Sequence, residues 1–137
     1  YIIGEFYKRG ATLEEIKDGI ISLGVSKQKM YCDGAEPDKV DYLRRNGFNA
    51  VSAKKGAGSV KAGISFLQDM KLICHESCVN VATELENYVY LKDKKTGQYV
   101  EDRYDHDFSH TMDALRYSYS DLYTAGRMRA TKLDLGL

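Results

Sequence analysis

Tryptophan is absent from this 137-residue chain, proline occurs once, and neither sign of charge is in excess. Twenty basic residues cancel twenty acidic ones, which excludes a global field for recruiting a polyanion. Any grip on nucleic acid must come from local clusters, such as Lys54 and Lys55 with Lys61, or Lys92 with Lys94 and Lys95. The three cysteines, Cys32, Cys74 and Cys78, are an odd number without a Cys-x-x-Cys pair. That argues for reduced thiols and against a disulfide frame or a zinc site. No apolar run approaches the length of a membrane span, and no secretory signal pattern opens the chain, so no membrane contact is expected.

What is present is an alternation of strand and helix patterns. Residues 1–7 are rich in aromatic and β-branched types and read as a strand. Thr12 and Glu15 have capping-box spacing ahead of Leu13, Ile16, Ile20 and Leu23, a helical stripe that Gly24 should end. Residues 29–33 make a second strand. Pro37 opens a helix with Val40 and Leu43 inside, closed by Asn46-Gly47. Residues 48–53 form a third strand. The basic loop Lys54-Lys55-Gly56-Ala57-Gly58-Ser59 then leads into a helix carrying Val60, Ile64 and Leu67, with Ser59 as its cap. A fourth strand at 71–74 and a helix over 78–88 follow, then a hairpin turning at Lys94-Lys95-Thr96-Gly97. In the last helix Met112, Leu115, Tyr119 and Leu122 recur at three- and four-residue steps.

Strands separated by helices imply an α/β fold with a mainly parallel central sheet flanked by helices, plus the hairpin. We expect one domain over residues 1–126 and a polar tail over 127–137. The opening is strand-like and lacks an initiating methionine, so the first strands of the sheet are expected to lie ahead of Tyr1.

In parallel sheets ligands gather at the carboxyl ends of strands, which is where Asp33 falls. The plain alternative for Asp33 is a turn-forming aspartate. On the last helix His110 and Asp113 are i and i+3 neighbours, so an imidazole and a carboxylate share a face, with His106 and Tyr117 on the same stripe. A histidine and one carboxylate suit a hard divalent ion only if another carboxylate joins them, and Asp33 is the candidate. Against this, Arg116 is placed to pair with Asp113 in a structural ion pair. The lysine–glycine loop lacks the Gly-Lys-Ser/Thr ending of a nucleotide-hydrolysing loop. A backbone grip by Lys54, Lys55 and the Ser59 helix terminus fits better, beside the bland reading of a solvated basic turn. Glu84 and Tyr88 read as a surface carboxylate beside a core tyrosine.

These pieces fall in one order: Tyr-Ile-Ile-x-Glu-Phe-Tyr at 1–7, Asp-Gly-Ala-Glu-Pro at 33–37, Arg-x-Gly at 45–47, Lys-Lys-Gly-x-Gly-Ser-Val-x-x-Gly-Ile at 54–64, Glu-Leu-x-x-Tyr at 84–88, and His-x-x-Asp-Ala-Leu-Arg-Tyr at 110–117. The ordered set resembles the nuclease domain of the terminase large subunit of tailed phages and prophages, over nearly the whole chain. The resemblance implies a ribonuclease H-like fold and a metal-dependent endonuclease that cuts concatemeric viral double-stranded DNA during genome packaging. It implies two-metal phosphodiester hydrolysis with two Mg²⁺ or Mn²⁺ ions. Asp33 and Asp113 carry over as metal-binding carboxylates, with His110 beside them as a ligand or proton shuttle. The basic loop carries over as a DNA contact through Lys54, Lys55, Ser59 and Lys61. Implied partners are DNA, the portal protein and the small terminase subunit, in the cytoplasm of the bacterial host. Two departures stand out: the family's first catalytic aspartate and its ATPase both precede the strand that starts at Tyr1. Glu5 and Glu36 are candidate substitutes for that aspartate. The rival readings are a non-catalytic ribonuclease H-like module that docks DNA or packaging machinery, and, last, a receiver-like domain phosphorylated at Asp33.

Overall fold

Local rules account for most element ends. The computed structural model describes residues 1–104 and 106–123, with the side chains of 101 and 102 outside that description. Asp105, at the entrance of the last helix, and the tail expected at 127–137 lie outside the described residues. Helix α1 (Leu13–Ser22) begins at a true capping box: Thr12 Oγ1 accepts from Glu15 N at 3.2 Å, and Glu15 Oε2 accepts from Thr12 N at 2.9 Å. It ends at Gly24, whose φ of +70° a side chain would strain. Strand β1 (Lys29–Cys32) runs to Asp33. Helix α2 (Pro37–Arg45) has the proline in its first turn and buries Val40 and Leu43. Strand β2 (Asn49–Ser52) then pairs parallel with β1, Met30 opposite Ala50 and Cys32 opposite Ser52.

Helix α3 (Ser59–Gln68) departs from expectation at its start. Gly58, with φ +74°, holds the cap position, and Ser59 is the first helical residue. The Ser59 hydroxyl accepts instead from Gly56 N, so it folds the loop back and does not cap the helix. Val60 is 42% exposed; the inward positions are Gly63 and Leu67. Helix α4 (Val79–Asn87), the hairpin strands β3 (Tyr90–Lys92) and β4 (Tyr99–Tyr104), a 3₁₀ turn at His106–Phe108 and helix α5 (His110–Ser118) complete the order. The hairpin turn is held by Asp93, whose Oδ1 accepts from the amides of Lys95 and Thr96, both at 2.8 Å.

The expected strands at 1–7 and 71–74 are reduced to one parallel bridge between Ile2 and Cys74. Ile2 N donates to Ile73 O at 2.8 Å and His75 N to Ile2 O at 2.9 Å, and the pairing stops there. The chain leaves strand geometry because its next residues have other partners. The Glu5 carboxylate accepts from Asn80 N, Asn80 Nδ2 and Val81 N at 2.9–3.0 Å, closing the start of α4. Phe6 lies so close to α1 that a Cβ on Gly19 would come within 2.6 Å of its ring. The parallel sheet is therefore small: β1 and β2, with the Ile2 bridge apart from them.

Two cores flank this sheet. Val40, Leu43, Phe48 and Ala50 pack with Ile16, Ile20 and Met30 on one side; Cys78, Val81 and Met112 pack with Ile2, Cys74, Tyr88 and Leu115 on the other. Helix α5 packs against β1, α3 and α4. Among the described residues, no helix is long and apolar enough to cross a membrane.

Glu5 at the α4 start gives the first prediction. Burial pushes its carboxyl up, but the amides of Asn80 and Val81 outweigh that and hold it below the ordinary glutamate range. A lowered value means stability that is present above the unfolded-state pKa and lost as pH falls through the folded one. Glu5→Gln should lower stability by about 1 kcal/mol at pH 7, as a lost helix cap does, and the difference should vanish in acid, read by urea unfolding at the two pH values.

Candidate functional site

Asp33 leaves the carboxyl end of β1 with three partners. Its Oδ1 accepts from Ala35 N at 2.8 Å and from Lys55 Nζ, and its Oδ2 accepts from the Tyr117 hydroxyl at 3.4 Å. It is thus both a turn-forming aspartate and one half of an ion pair. Partial burial pushes the carboxyl up, but Lys55, the Ala35 amide and Tyr117 together hold it below the ordinary range. Asp33 is about half exposed, so the pair with Lys55 adds little to stability.

Asp113 sits in the first turn of α5, and its Oδ1 accepts from Arg116 Nη2. The expected pair with Arg116 forms, and it is not a surface pair. The Arg116 side chain is 5% exposed, and its Nε has no hydrogen-bond partner. It runs over Gly63, where a Cβ would meet Arg116 Cδ at 3.1 Å. Burial disfavours the charge on Arg116, and Asp113 more than compensates.

Tyr117 joins Asp33 to the helix that bears Asp113. It follows Asp113 by one helical turn on the same face. Its hydroxyl reaches Asp33, and its ring lies under Lys55 Nζ at 5.0 Å and beside the Arg116 guanidinium at 5.4 Å. Asp33 and Asp113 therefore stand on one side of α5, each already balanced by a cation of the chain. Among the described residues no three His, Cys, Asp or Glu side chains form a group able to hold an ion. Carboxylate oxygens are the donor type that a hard divalent cation takes, and Asp33 and Asp113 are the two acids beside Tyr117 that could offer them.

His110 is exposed and lines a groove between the N-terminal segment, α1, β1 and α5, with Ile2, Glu5 and Tyr7. Asp113 opens onto a different cleft, of about 680 Å³, shared with His106, Tyr117, Arg103 and Tyr104. The expected shared stripe does not hold: His106, on the 3₁₀ turn before α5, lines the Asp113 cleft, and His110 lines the other groove. The hairpin base stands at this cleft too, through a stack in which Tyr104 lies 4.9 Å from both Tyr88 and Tyr90.

The basic loop divides in two. Lys54 Nζ pairs with Asp121 at 2.9 Å, and Asp121 also accepts from the Tyr31 hydroxyl at 2.7 Å and Lys29 Nζ at 3.1 Å. Lys54, with these donors, holds Asp121 well below the carboxylate range. Lys54 thus ties the loop to the end of the last helix, while Lys55 reaches Asp33. Lys61 is exposed on the first turn of α3.

Two functional supports were missed from sequence. Glu84, expected at the surface, is 3% exposed, and its Oε2 accepts from Thr111 N at 2.6 Å and Thr111 Oγ1 at 2.7 Å, closing the start of α5. Asp121 continues the stripe of Asp113 and Tyr117 by one more turn, and that spacing was the available signal. Of the proposed substitutes for an upstream aspartate, Glu5 serves α4 and Glu36 pairs with Lys39.

The two acids should differ in what their removal does to folding. Asp113→Asn leaves a buried guanidinium without its counter-charge and should cost about 3 kcal/mol. Asp33→Asn breaks only an exposed pair and should stay within about 1 kcal/mol. Chemical denaturation of the two variants side by side checks this.

Comparison with known proteins gives the geometry a family. The family described as "Terminase RNAseH like domain" matches residues 1–121. The PBSX phage terminase large subunit of Bacillus subtilis (strain 168) is 32% identical over 132 residues, covering 96% of this chain and 30% of that protein. The crystal structure of the large terminase nuclease domain of bacteriophage SPP1 with bound Mn superposes with a TM-score of 0.69 at 30% identity, over 80% of this chain and 63% of that one. The chain thus spans under a third of the PBSX subunit and less than two thirds of the SPP1 domain. A small parallel sheet ended by Asp33, crossed by a last helix bearing Asp113 and flanked by a hairpin, is the ribonuclease H-like nuclease domain of a terminase large subunit, and the chain belongs to that family.

Proposed function

We propose that this domain is a metal-dependent endonuclease that cuts concatemeric viral double-stranded DNA during genome packaging in the bacterial cytoplasm, by two-metal phosphodiester hydrolysis. The observation that carries this reading is the hydrogen bond from Tyr117 to Asp33, which brings the end of β1 to the helix that bears Asp113. The Mn named with the SPP1 structure supports divalent-metal chemistry here. Asp33 and Asp113 would hold the Mg²⁺ or Mn²⁺ ions. When bound, such ions stabilise charge on a phosphodiester and lower the pKa of a coordinated water.

The remaining tasks belong to side chains. Tyr117 orients Asp33 through its hydroxyl, and Arg116 holds Asp113 in place from within the core. His110, with His106 nearer the Asp113 cleft, offers the proton-exchanging side-chain type closest to neutrality. Lys55, Lys61 and the α3 start with Ser59 offer positive charge to a DNA backbone. Lys54, tied to Asp121, shapes this loop. The portal protein and the small terminase subunit are the partners we propose for the whole subunit.

Incubating the chain with supercoiled plasmid and MnCl₂ tests this. Cleavage should be Mn²⁺-dependent and abolished in Asp33→Asn, while duplex binding survives. Duplex binding without cleavage by the unsubstituted chain would leave a docking module, the reading favoured by the internal cation already on each acid.

A further inference from the structure

The two lysines of the basic loop are in different situations, and the difference has a function. Lys54 is fixed: its Nζ shares Asp121 with Tyr31 and Lys29, and its amide lies 3.4 Å from Ser120 Oγ. Lys55 is next to it in sequence, but its Nζ sits on Asp33 Oδ1 in an exposed pair. The segment that follows, Gly56-Ala57-Gly58, turns at a residue with φ +74°. Lys55 therefore has a fixed residue on one side and a glycine-rich turn on the other.

We propose that Lys55 is a latch that competes with the divalent cation for Asp33 and, once displaced, becomes a contact to the DNA phosphate backbone, so that metal loading and DNA grip are coupled. The proposal rests on Asp33 being a metal-binding carboxylate. An ammonium on Oδ1 cancels the charge that a divalent ion would use and repels that ion, so the two cations compete for Asp33. The Ala35 amide and the Tyr117 hydroxyl keep Asp33 in place whichever cation it faces. With Lys54 anchored, the swing is confined to the Lys55 side chain and the glycine turn. A released ammonium at the end of β1, beside Tyr117, stands where a phosphodiester must approach the two acids. Coupling of this kind is reciprocal: the cation raises duplex affinity by the factor by which duplex raises cation affinity. While Lys55 sits on Asp33 both the acid and the lysine are satisfied, and the pair attracts DNA weakly.

The test uses the full chain, MnCl₂ measured by calorimetry, and a labelled duplex with phosphorothioate linkages. Lys55→Gln should bind Mn²⁺ about tenfold tighter than the unsubstituted chain, and Lys55→Arg should resemble the unsubstituted chain. Mn²⁺ should raise duplex affinity about tenfold in the unsubstituted chain and leave it unmoved in Lys55→Gln. Unchanged or weaker Mn²⁺ binding by Lys55→Gln overturns the latch. Asp33→Asn separates the two claims. If it loses Mn²⁺ while Lys55→Gln gains nothing, only the latch fails. If Asp33→Asn keeps full Mn²⁺ affinity, the metal reading of Asp33 fails and the latch falls with it.

Discussion

A buried carboxylate decides where the last helix begins. Glu84 leaves no polar oxygen to solvent: one oxygen takes the amide and hydroxyl of Thr111, and the other faces the Tyr7 hydroxyl at 3.4 Å. Such a group fixes both position and rotation, because backbone amides at a helix start point along the axis and accept no substitute nearby. Asp121 does the same near the other end, gathering Lys29, Tyr31 and Lys54. Between these two anchors the face bearing Asp113 and Tyr117 has no freedom to turn away from β1. The placement of Asp113 and Tyr117 beside β1 depends on that constraint.

Neutral composition takes on a sharper meaning in this setting. The absence of net charge pointed away from a polyanion partner, yet each acid near the site has a basic partner: Lys55 on Asp33, Arg116 on Asp113, and both Lys54 and Lys29 on Asp121. The pairs are unequal. A guanidinium under Gly63 is part of the core, whereas an ammonium at the surface is exchangeable. An overall count of charges sees only that acids and bases cancel and misses which of them can let go.

Legibility followed sequence distance. The capping box at Thr12 and Glu15, the proline at the start of α2, the left-handed glycines at 24 and 47 and the hairpin turn are all settled within a few residues, and all were readable. Asp33 and Asp113 were singled out because a strand end and a helix face are local features too. The roles of Glu84 and Asp121 were not, since their partners lie 27 and 90 residues away, and the only local mark was the four-residue step from Tyr117 to Asp121. The N-terminal segment failed as a strand for the same reason. Its β-rich composition was real, but Glu5 and Phe6 answer to α4 and α1, which pull the backbone out of line. Ser59 was misplaced by one residue because glycine in a left-handed conformation took the cap position.

The three-ring stack of Tyr88, Tyr104 and Tyr90 has a consequence of another kind. It joins the end of α4 to both strands of the hairpin, with the first two rings only 6° from parallel. Lifting the hairpin away from the cleft requires sliding one phenol off another. No indole masks the emission of the eleven tyrosines, and the share of it that is lost when Tyr104 is replaced reports on hairpin posture without any attached dye.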